Sequence, residues 1–399
     1  MDIQKTGKIF VTCARGLQPF LADEMRALGV KPEAEQPGGL LANGTLADCM
    51  RLNLWLRTGH RVLFQLHRFQ ATNPDELYAA ILPLPWEEII PEDGYLSVES
   101  SVDNKSVRDS RFANLRVKDA VVDRFAEKQG RRPDSGPDKS GTMLFLYWKH
   151  RDAVLYLDTS GSPLSNRGYR LQPGKAPMRE TLAAACLLAS RYNGKGVLLN
   201  PLCGSGTLAI EAALLATGTA PGLLRPDFAF RHVLGHDEEA WKALRSEARS
   251  KMRQTTANPI IASDIDPVAV TAARENAMEA GMEELIEFQV CDFRDSPVPE
   301  PAKRHLNLMI CNPEYGQRMG EEAELEAVYK ALGDFMKQRC GGYTGAVFTG
   351  SKPLSKHIGL KTSKRIPLMN GPIECRLLLY ELYAGTREQK SPESSTPLS

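Results

Sequence analysis

The residues NPLCGSGTLAIEAA, at positions 200–213, carry a buried strand into a helix through a glycine turn, and the class of fold can be inferred from this turn. Gly204 and Gly206 permit a tight turn and let a ligand approach the backbone closely. No lysine follows the glycines, which excludes a P-loop for a triphosphate. A dinucleotide site would need an acid about 20 residues further on, whereas the next strand-end acids, Asp264 and Asp266, come much later. A purely structural turn is the alternative interpretation.

Apolar strand segments alternate with helical patterns around this turn, which predicts an α/β fold with a doubly wound parallel sheet. The segments are VLLN (197–200), IIASD (260–264), IEFQVCD (286–292), LNLMICN (306–312) and GAVFTG (345–350). The pattern then changes, because KRIPLMNGPIECRLLLYELY holds two strand runs around Asn370 and Gly371, a strong signal for an antiparallel hairpin. A parallel sheet that ends in a hairpin is unlike a dehydrogenase.

Two smaller units precede this sheet. Residues 1–69 follow the order β-α-β-β-α-β, which predicts a ferredoxin-like domain. Residues 70–165 hold a helix near Pro74, a strand at YLSVES, a basic helix and two further strands, which predicts an α+β domain. Residues 166–384 form the unit with the glycine turn, and the composition of the polar tail 385–399 predicts disorder.

Positive charge is concentrated in one part of the chain. The 399 residues carry a formal net charge of only +1, so any nucleic-acid surface has to be local. Between Asp103 and Arg151 there are twelve Lys and Arg against seven Asp and Glu, a net charge of +5. This excess predicts a phosphate-contacting surface, with a solvated helix face as the alternative. The candidate contacts are Lys105, Arg108, Arg111, Lys118, Arg131 and Arg132.

The eight cysteines indicate a reducing compartment rather than a metal site. None forms a C-x-x-C pair and none lies beside a suitably spaced histidine, so we expect no metal. The N-terminus MDIQKTGKIF has no long apolar run, and no apolar stretch is long enough to cross a bilayer. These features predict a cytoplasmic protein without a membrane partner.

Acids at two strand ends suit a nucleoside ligand. In IIASDIDPVAV, Asp264 can accept hydrogen bonds from both hydroxyls of a ribose, and Ile265 can pack on an adenine face. Asp266 precedes a proline and also suits the cap of the next helix. In QVCDFRD, Asp292 ends another strand and can accept from an adenine amino group, while Phe293 can flank the ring.

The most informative motif is NPEY, residues 312–315, directly after the apolar strand LNLMIC. An exocyclic amine on a base is a poor nucleophile because its lone pair is delocalised, so it needs acceptors aimed at its protons. The Asn312 side-chain oxygen and the Pro313 carbonyl can supply them, and Tyr315 can stack on a base withdrawn from its helix. With a cationic methyl donor, positioning and electrostatics suffice without a metal or a covalent intermediate. Asn-Pro also makes ordinary turns.

With these motifs the chain is identified as a member of the THUMP-domain RNA methyltransferases, which have a Rossmann-like class I catalytic domain. The resemblance rests on SNRGYR, APMRETLAAA, NPLCGSGT, APGLLRPDFAF, ASDID, NPEYGQRMG and NGPIECRLLLY, while SVRDSRFANLRVKDAVVDRFAEKQGRRP resembles the THUMP region. It is greatest toward the bacterial group that makes N2-methylguanine in 23S rRNA. It implies S-adenosyl-L-methionine as cofactor, 23S rRNA or its precursor as partner, and guanine N2 as the methylated amine.

On this basis the site is predicted residue by residue. The predicted catalytic residues are Asn312, Pro313 and Tyr315. The predicted cofactor-binding residues are Asn200, Cys203, Gly204, Ser205, Gly206, Thr207, Asp264, Ile265, Asp266, Asp292 and Phe293. The six cations between Lys105 and Arg132 become the predicted RNA-binding residues.

Two residues depart from the family pattern. Asn200 stands where the family usually has Asp, which removes a charge near the ammonium group of the cofactor. Glu314 stands where the family usually has a second proline, which places an acid beside the base pocket, within reach of the ring N–H of a guanine. Two alternatives stay open: an adenine-N6 methyltransferase, which shares the NPxY chemistry, and a non-catalytic RNA-binding assembly factor with a decayed methyltransferase domain.

Overall fold

The computed structural model describes residues 3–107, 109–172, 178–315 and 322–383. The predicted RNA contact Arg108 and the predicted disordered tail 385–399 lie outside the described residues. Within the described ranges no helix combines the length and the apolar character that a membrane crossing requires.

The first unit has the predicted β-α-β-β-α-β order. Its strands follow one another across the sheet in the order β2-β3-β1-β4, and each neighbouring pair is antiparallel. Thr45 caps the second helix through a reciprocal capping box with Asp48, which fixes where that helix begins. This arrangement confirms the ferredoxin-like domain. The elements are β1 (Gly7–Thr12), α1 (Gln18–Ala27), β2 (Pro32–Gln36), β3 (Gly39–Gly44), α2 (Leu46–Trp55) and β4 (Arg61–Gln70).

The second unit continues the same sheet. Its elements are α3 (Pro74–Ile81), β5 (Tyr95–Asp103), α4 (Ser110–Gln129), β6 (Asp134–Ser135), β7 (Thr142–Lys149) and β8 (Asp152–Asp158). One edge of β4 pairs with β1 and the other with β8, so that eight strands form one sheet in the order β2-β3-β1-β4-β8-β7-β5-β6. The pairing of β4 with β8 reaches Gln70 opposite Asp152, one residue beyond the boundary predicted after residue 69.

The third unit is a seven-stranded sheet in the order β11-β10-β9-β12-β13-β15-β14. Strands β9 to β13 run parallel, and β15 is antiparallel to both β13 and β14, which confirms the Rossmann-like sheet that ends in a hairpin. The strand order reverses beside β9, where ligands bind in doubly wound sheets. The elements are α5 (Glu180–Ala189), β9 (Leu198–Pro201), α6 (Thr207–Ala216), α7 (Glu238–Ser250), β10 (Ile260–Asp264), α8 (Pro267–Glu279), β11 (Glu287–Val290), β12 (Leu308–Cys311), α9 (Glu322–Arg339), β13 (Thr344–Thr349), α10 (Lys352–His357), β14 (Lys364–Asn370) and β15 (Ile373–Glu381).

The turn of the final hairpin lies one residue later than the sequence predicts. Asn370 pairs with Ile373, so the two loop residues are Gly371 and Pro372 rather than Asn370 and Gly371. Gly371 has a φ of +59°, a conformation that glycine adopts without strain. Proline has no N–H for the strand ladder, which suits it to the loop.

A buried polar cluster joins the first unit to the third. Arg167, which is 1% exposed, donates from Nη2 to the carbonyl of Arg57 (2.6 Å) and from Nη1 to that of Leu164 (2.8 Å). Its Nε contacts Glu211 Oε1 at 3.4 Å, and the Tyr169 hydroxyl donates to the same oxygen at 3.2 Å. Because Arg57 follows α2 while Glu211 lies in α6, this cluster holds the ferredoxin-like domain against the sheet that carries the glycine turn.

Candidate active site

The glycine turn leaves its backbone open toward the carboxyl end of the sheet. Gly204 and Gly206 have φ values of +53° and +81°, so an L side chain would be strained at either position. A Cβ at Gly206 would lie 2.9 Å from the Cβ of Ala273, because α8 packs against the turn. A Cβ at Gly204 would meet no atom within 4 Å. The glycine at 206 therefore serves packing, whereas that at 204 leaves space beside the N-terminus of α6.

Asp264 ties the second strand end to this turn. Its Oδ2 accepts from the Gly204 N–H at 2.9 Å and its Oδ1 from the Asp266 N–H at 3.1 Å. An ionised carboxylate has about four acceptor positions, so both oxygens retain capacity for hydroxyl donors. Ile265 is 64% exposed, which suits a ligand-facing residue. Asp266 caps α8 by accepting from the Val268 N–H, in agreement with the capping interpretation of its sequence.

At the third strand end, Asp292 and Phe293 make contacts within the protein. Both Asp292 oxygens are held by the guanidinium of Arg294, at 2.8 and 2.6 Å, and this contact lowers the pKa of the carboxyl. The Phe293 ring packs edge-to-face on Phe335 and is only 7% exposed. Phe293 therefore packs in the core against α9 and offers little surface to an adenine ring.

Asn200 and Asn312 bring two buried amide oxygens to adjacent strand ends. Asn200 is 1% exposed and donates from Nδ2 to the carbonyl of Ile310 (2.9 Å), which links β9 to β12 beyond their last backbone pair. The Oδ1 atoms of Asn200 and Asn312 are both buried and find no hydrogen-bond partner among the described residues. A buried acceptor without a donor is costly, so these atoms mark a place where a ligand can supply donors.

Tyr315 forms the apolar wall next to Asn312. Its half-buried ring packs edge-on to Phe348 at 6.4 Å, and burial raises its pKa to about 12. The Tyr315 hydroxyl accepts from Asn370 Nδ2 at 2.9 Å, at the tip of the hairpin. A Cβ at Gly350 would lie 2.9 Å from the tyrosine ring, which explains the glycine there. The hairpin thus orients the ring that is predicted to meet the base.

Two residues of the site were missed by the sequence argument. Arg170 donates to the hydroxyls of Ser205 (3.3 Å) and Thr207 (3.1 Å) and pairs with Glu180. Asn276, fully buried on α8, accepts from two backbone N–H groups at 171 and 172 and donates to the Ser205 carbonyl at 3.1 Å. An asparagine inside a helix is locally unfavourable, and this is the one signal that could have indicated Asn276.

Cys203 completes the turn without a reactive thiol. It is 8% exposed, and its thiol contacts the Gly204 carbonyl at 3.6 Å. Burial raises the pKa of the Cys203 thiol and that of the fully buried Cys311. Neither is therefore a thiolate at neutral pH. Within the described ranges, no group of three or more His, Cys, Asp or Glu is arranged to hold a metal ion.

The predicted RNA contacts do not form one compact patch. Lys105 precedes α4 and Arg131 follows it, and a helix of 20 residues separates them by about 30 Å. Lys105 is exposed without an ion pair in the described part of the chain. The other described cations form ion pairs: Arg111 with Asp109, Lys118 with Asp119, Arg131 with Glu92 and Arg132 with Asp123.

Comparison with protein families matches all three units. Residues 167–378 match the family described as RMKL-like, methyltransferase domain. Residues 8–63 match the RlmL ferredoxin-like domain and residues 71–158 the THUMP domain. Among curated proteins, the ribosomal RNA large subunit methyltransferase K/L of Syntrophotalea carbinolica is 41% identical over 382 residues, which are 94% of this chain and 53% of that protein. The chain thus spans about half the length of the curated relatives it matches.

Solved structures agree with this assignment. A protein described provisionally as a methyltransferase, crystallised with S-adenosylhomocysteine (SAH), superposes with a TM-score of 0.85 at 27% identity, over 97% of this chain and all of that one. A predicted N6-adenine-specific DNA methylase from Listeria monocytogenes gives a TM-score of 0.82 at 31% identity, over 95% of this chain and 97% of that one. The sheet and its strand-end site have the class I methyltransferase fold. The chain belongs to the RMKL-like methyltransferase-domain family.

Proposed function

We propose that this chain transfers a methyl group from S-adenosyl-L-methionine to the exocyclic N2 amine of a guanine in large-subunit ribosomal RNA. The observation that carries the proposal is the buried Asn312 Oδ1, which finds no partner among the described residues at the end of β12. Asn312 follows β12, which lies next to β9 at the point where the strand order of the sheet reverses. The carboxyl end of β9 leads into the glycine turn. An acceptor in that place suits the proton of an amine that faces a bound methyl donor.

The residues at the first two strand ends fit S-adenosyl-L-methionine. Gly204 leaves open space, Asp264 has acceptor capacity for the ribose hydroxyls, and Asn200 Oδ1 is an acceptor that suits the ammonium group. The other predicted cofactor residues, Cys203, Ser205, Gly206 and Thr207, shape the turn, and Ile265 offers an exposed apolar surface for the adenine. When bound, this cofactor supplies an electrophilic methyl group on a sulfonium. SAH in a structure with a TM-score of 0.85 supports the assignment.

The remaining residues of the site would prepare the amine. Asn312 Oδ1 and the Pro313 carbonyl accept hydrogen bonds from its two N–H groups, and this orientation turns the nitrogen lone pair toward the methyl group. No enzyme–base bond is needed, and the raised pKa values of the Cys203 and Cys311 thiols agree with direct transfer. Tyr315, held by Asn370, would stack on the flipped base.

The names of the relatives support ribosomal RNA as the substrate. The matched curated proteins are named ribosomal RNA large subunit methyltransferase K/L, and residues 71–158 match the THUMP domain. We assign ribosomal RNA as the partner, the cytoplasm as the location, and residues 1–69, 70–165 and 166–384 as the three domains.

A second candidate is methylation of adenine N6. It is favoured by the name of the Listeria monocytogenes structure, a predicted N6-adenine-specific DNA methylase. Both candidates use the same amine-gripping geometry, so the identity of the methylated base decides between them.

Mapping the methylated base tests the proposal directly. Ribosomal RNA from a strain that lacks the protein would be incubated with the purified chain and isotopically labelled S-adenosyl-L-methionine, then digested and analysed by mass spectrometry. The expected result is N2-methylguanosine at one position of 23S rRNA. Labelled N6-methyladenosine would favour the second candidate, and absence of label in every RNA would overturn the assignment as an enzyme.

Asp264→Ala is expected to weaken cofactor binding at least about tenfold. The change removes a charged acceptor for the ribose, worth roughly 1.5–3 kcal/mol, and also frees the Gly204 N–H. Isothermal titration calorimetry with SAH would measure the loss. Asp237→Ala is the matched control, since it removes an aspartate that caps α7 outside the site. Equal affinity in parent and Asp264→Ala, with both folded, would remove Asp264 from the cofactor site.

Removing cations at either end of α4 is expected to lower the salt dependence of RNA binding. Each phosphate contact contributes about one unit to the slope of log K against log salt. The variants are Lys105→Ala with Arg111→Ala, and Arg131→Ala with Arg132→Ala, each measured by fluorescence anisotropy across a salt series. Lys242→Ala with Lys251→Ala, at ion-paired lysines in and just after α7, is the control. If both α4 pairs keep the parental slope, the positive excess is only a solvated face.

A further inference from the structure

The segment Asn312 to Tyr315 is anchored at Glu314 and at Tyr315. The Glu314 carbonyl accepts from the hydroxyl of Tyr329 at 3.3 Å, and that buried hydroxyl also contacts Thr349 Oγ1 at 2.7 Å. One residue later, the Tyr315 hydroxyl accepts from Asn370 of the hairpin. The backbone at Glu314 therefore has a defined position, and its side chain projects from a fixed point two residues after Asn312.

The Glu314 carboxylate is exposed and uncommitted in the described part of the chain. It has neither an ion pair nor a hydrogen bond there, whereas Asp292, after β11, has both oxygens held by Arg294. The residue before it, Pro313, is buried, and the ring after it is half-buried. In the chain, Glu314 comes between Pro313, which is proposed to hold the amine, and Tyr315, which is proposed to stack on the base. Its carboxylate can therefore accept a hydrogen bond from a base bound there.

We propose that Glu314 is a specificity-determining residue of this chain, which favours guanine over adenine by accepting a hydrogen bond from the guanine N1–H. This inference rests on the proposed function. The target base must then have a ring N–H beside its amine. The contact from Glu314 adds to the hydrogen bonds that Asn312 and Pro313 make to the amine itself.

The hydrogen-bonding edges of the two purines give the reason. On guanine, the N2 amine lies next to N1–H, so two neighbouring groups donate. On adenine, the N6 amine lies next to an unprotonated N1, which accepts. An ionised carboxylate can only accept. With the amine held by Asn312 Oδ1 and the Pro313 carbonyl, Glu314 stabilises the guanine edge and repels the lone pair of adenine N1.

Glu314→Gln is the sharpest variant, because it keeps the shape of the side chain and removes the charge. The glutamine amide can still accept from N1–H, but it can also turn its NH2 toward an unprotonated N1. Losing a charge-assisted hydrogen bond should slow guanine methylation about 10- to 100-fold, and the selectivity should fall with it. Because Glu314 lies away from the glycine turn in sequence and carries no bond to it, affinity for SAH should not change.

The test uses the full chain and synthetic RNA that spans the nucleotide mapped above. The target carries guanine or 2-aminopurine, which keeps the C2 amine but has no N1–H. We expect the parent to methylate guanine faster than 2-aminopurine and Glu314→Gln to reduce that ratio at least about tenfold. The absence of the O6 atom from 2-aminopurine affects the parent and Glu314→Gln alike. A change in the ratio of the two rates between the proteins therefore reports the contact with N1–H. Glu239→Gln, an exposed glutamate on α7, is the matched control and should keep the parental ratio.

The outcomes separate this inference from the proposed function. If the parent methylates guanine N2 and Glu314→Gln keeps the parental ratio with unchanged SAH affinity, Glu314 does not read N1–H, while the function stands. If the parent methylates adenine and not guanine, both the proposed base and the role of Glu314 are wrong. A folded Glu314→Ala variant, checked by SAH binding, should also lose guanine preference, because its side chain cannot accept from N1–H.

Discussion

Asn312→Ala is expected to slow methyl transfer by roughly 10²–10³-fold with little change in cofactor affinity. The variant removes one acceptor from the amine in the transition state, a loss comparable to deleting one oxyanion-hole donor, or about 3–4 kcal/mol. Because Asn312 Oδ1 is buried and has no partner among the described residues, no existing hydrogen bond in that part of the chain is broken by the change. Single-turnover methylation of the target RNA measures the effect on chemistry alone.

Matched variants decide whether this loss reports the proposed chemistry. Asn312→Asp keeps an acceptor oxygen and should retain much more activity than Asn312→Ala. Cys203→Ser and Cys311→Ser should stay close to the parental rate, because burial keeps both thiols protonated. If Asn312→Ala kept the parental rate while either serine variant abolished transfer, direct attack by the amine would be the wrong mechanism.

Arg167→Met is expected to lower the free energy of unfolding by about 3–5 kcal/mol, the usual cost of breaking a buried ion pair from one side. The side chains of Arg167 and Glu211 are 1% and 0% exposed. Methionine fills much of the volume but leaves the Glu211 carboxylate buried, with the Tyr169 hydroxyl as its remaining hydrogen-bond donor among the described residues. It also strips donors from the carbonyls of Arg57 and Leu164. Urea denaturation followed by circular dichroism would measure the change.

Two comparisons make this stability prediction specific. The double variant Arg167→Met with Glu211→Leu removes both charges, so it should be more stable than Arg167→Met alone. Arg231→Met breaks a half-exposed pair with Glu238 and should cost only about 0–1 kcal/mol. If Arg167→Met and Arg231→Met lowered the free energy of unfolding equally, the buried cluster would stabilise the junction between the first and third units no more than a half-exposed ion pair does.

The sequence predicted the elements of the fold well where the signal is local. The two glycines of the turn occupy positive φ values, as their pattern indicates, and Ile260–Asp264 and Pro74–Ile81 form the strand and the helix predicted there. The hairpin is present as well, although its turn is displaced by one residue to Gly371 and Pro372. These features depend on backbone sterics and on hydrophobic periodicity within a few residues, and both are legible in the chain itself.

The residues of the proposed cofactor site could be predicted only in part from the sequence. Asp264 and Asn312 lie at strand ends as expected, because a parallel sheet gathers its carboxyl ends at one edge. Phe293 was assigned to the ligand, yet it packs against Phe335, which lies 42 positions later in the chain. Asn276 was overlooked, although it connects the glycine turn to residues 104 and 105 positions earlier in the chain. No local pattern reports such distant neighbours.

The class of fold, the glycine turn, the order of the strand-end motifs and the family can be inferred from the chain alone. Three features are visible only in the folded molecule: β4 joins two units into one eight-stranded sheet, Arg167 and Glu211 seal the junction, and Asn370 orients Tyr315. The difference lies in the range of the interactions. Local conformation follows from sterics and periodicity over a few residues, whereas edge pairing and buried polar contacts arise only when the folded chain brings distant donors and acceptors together.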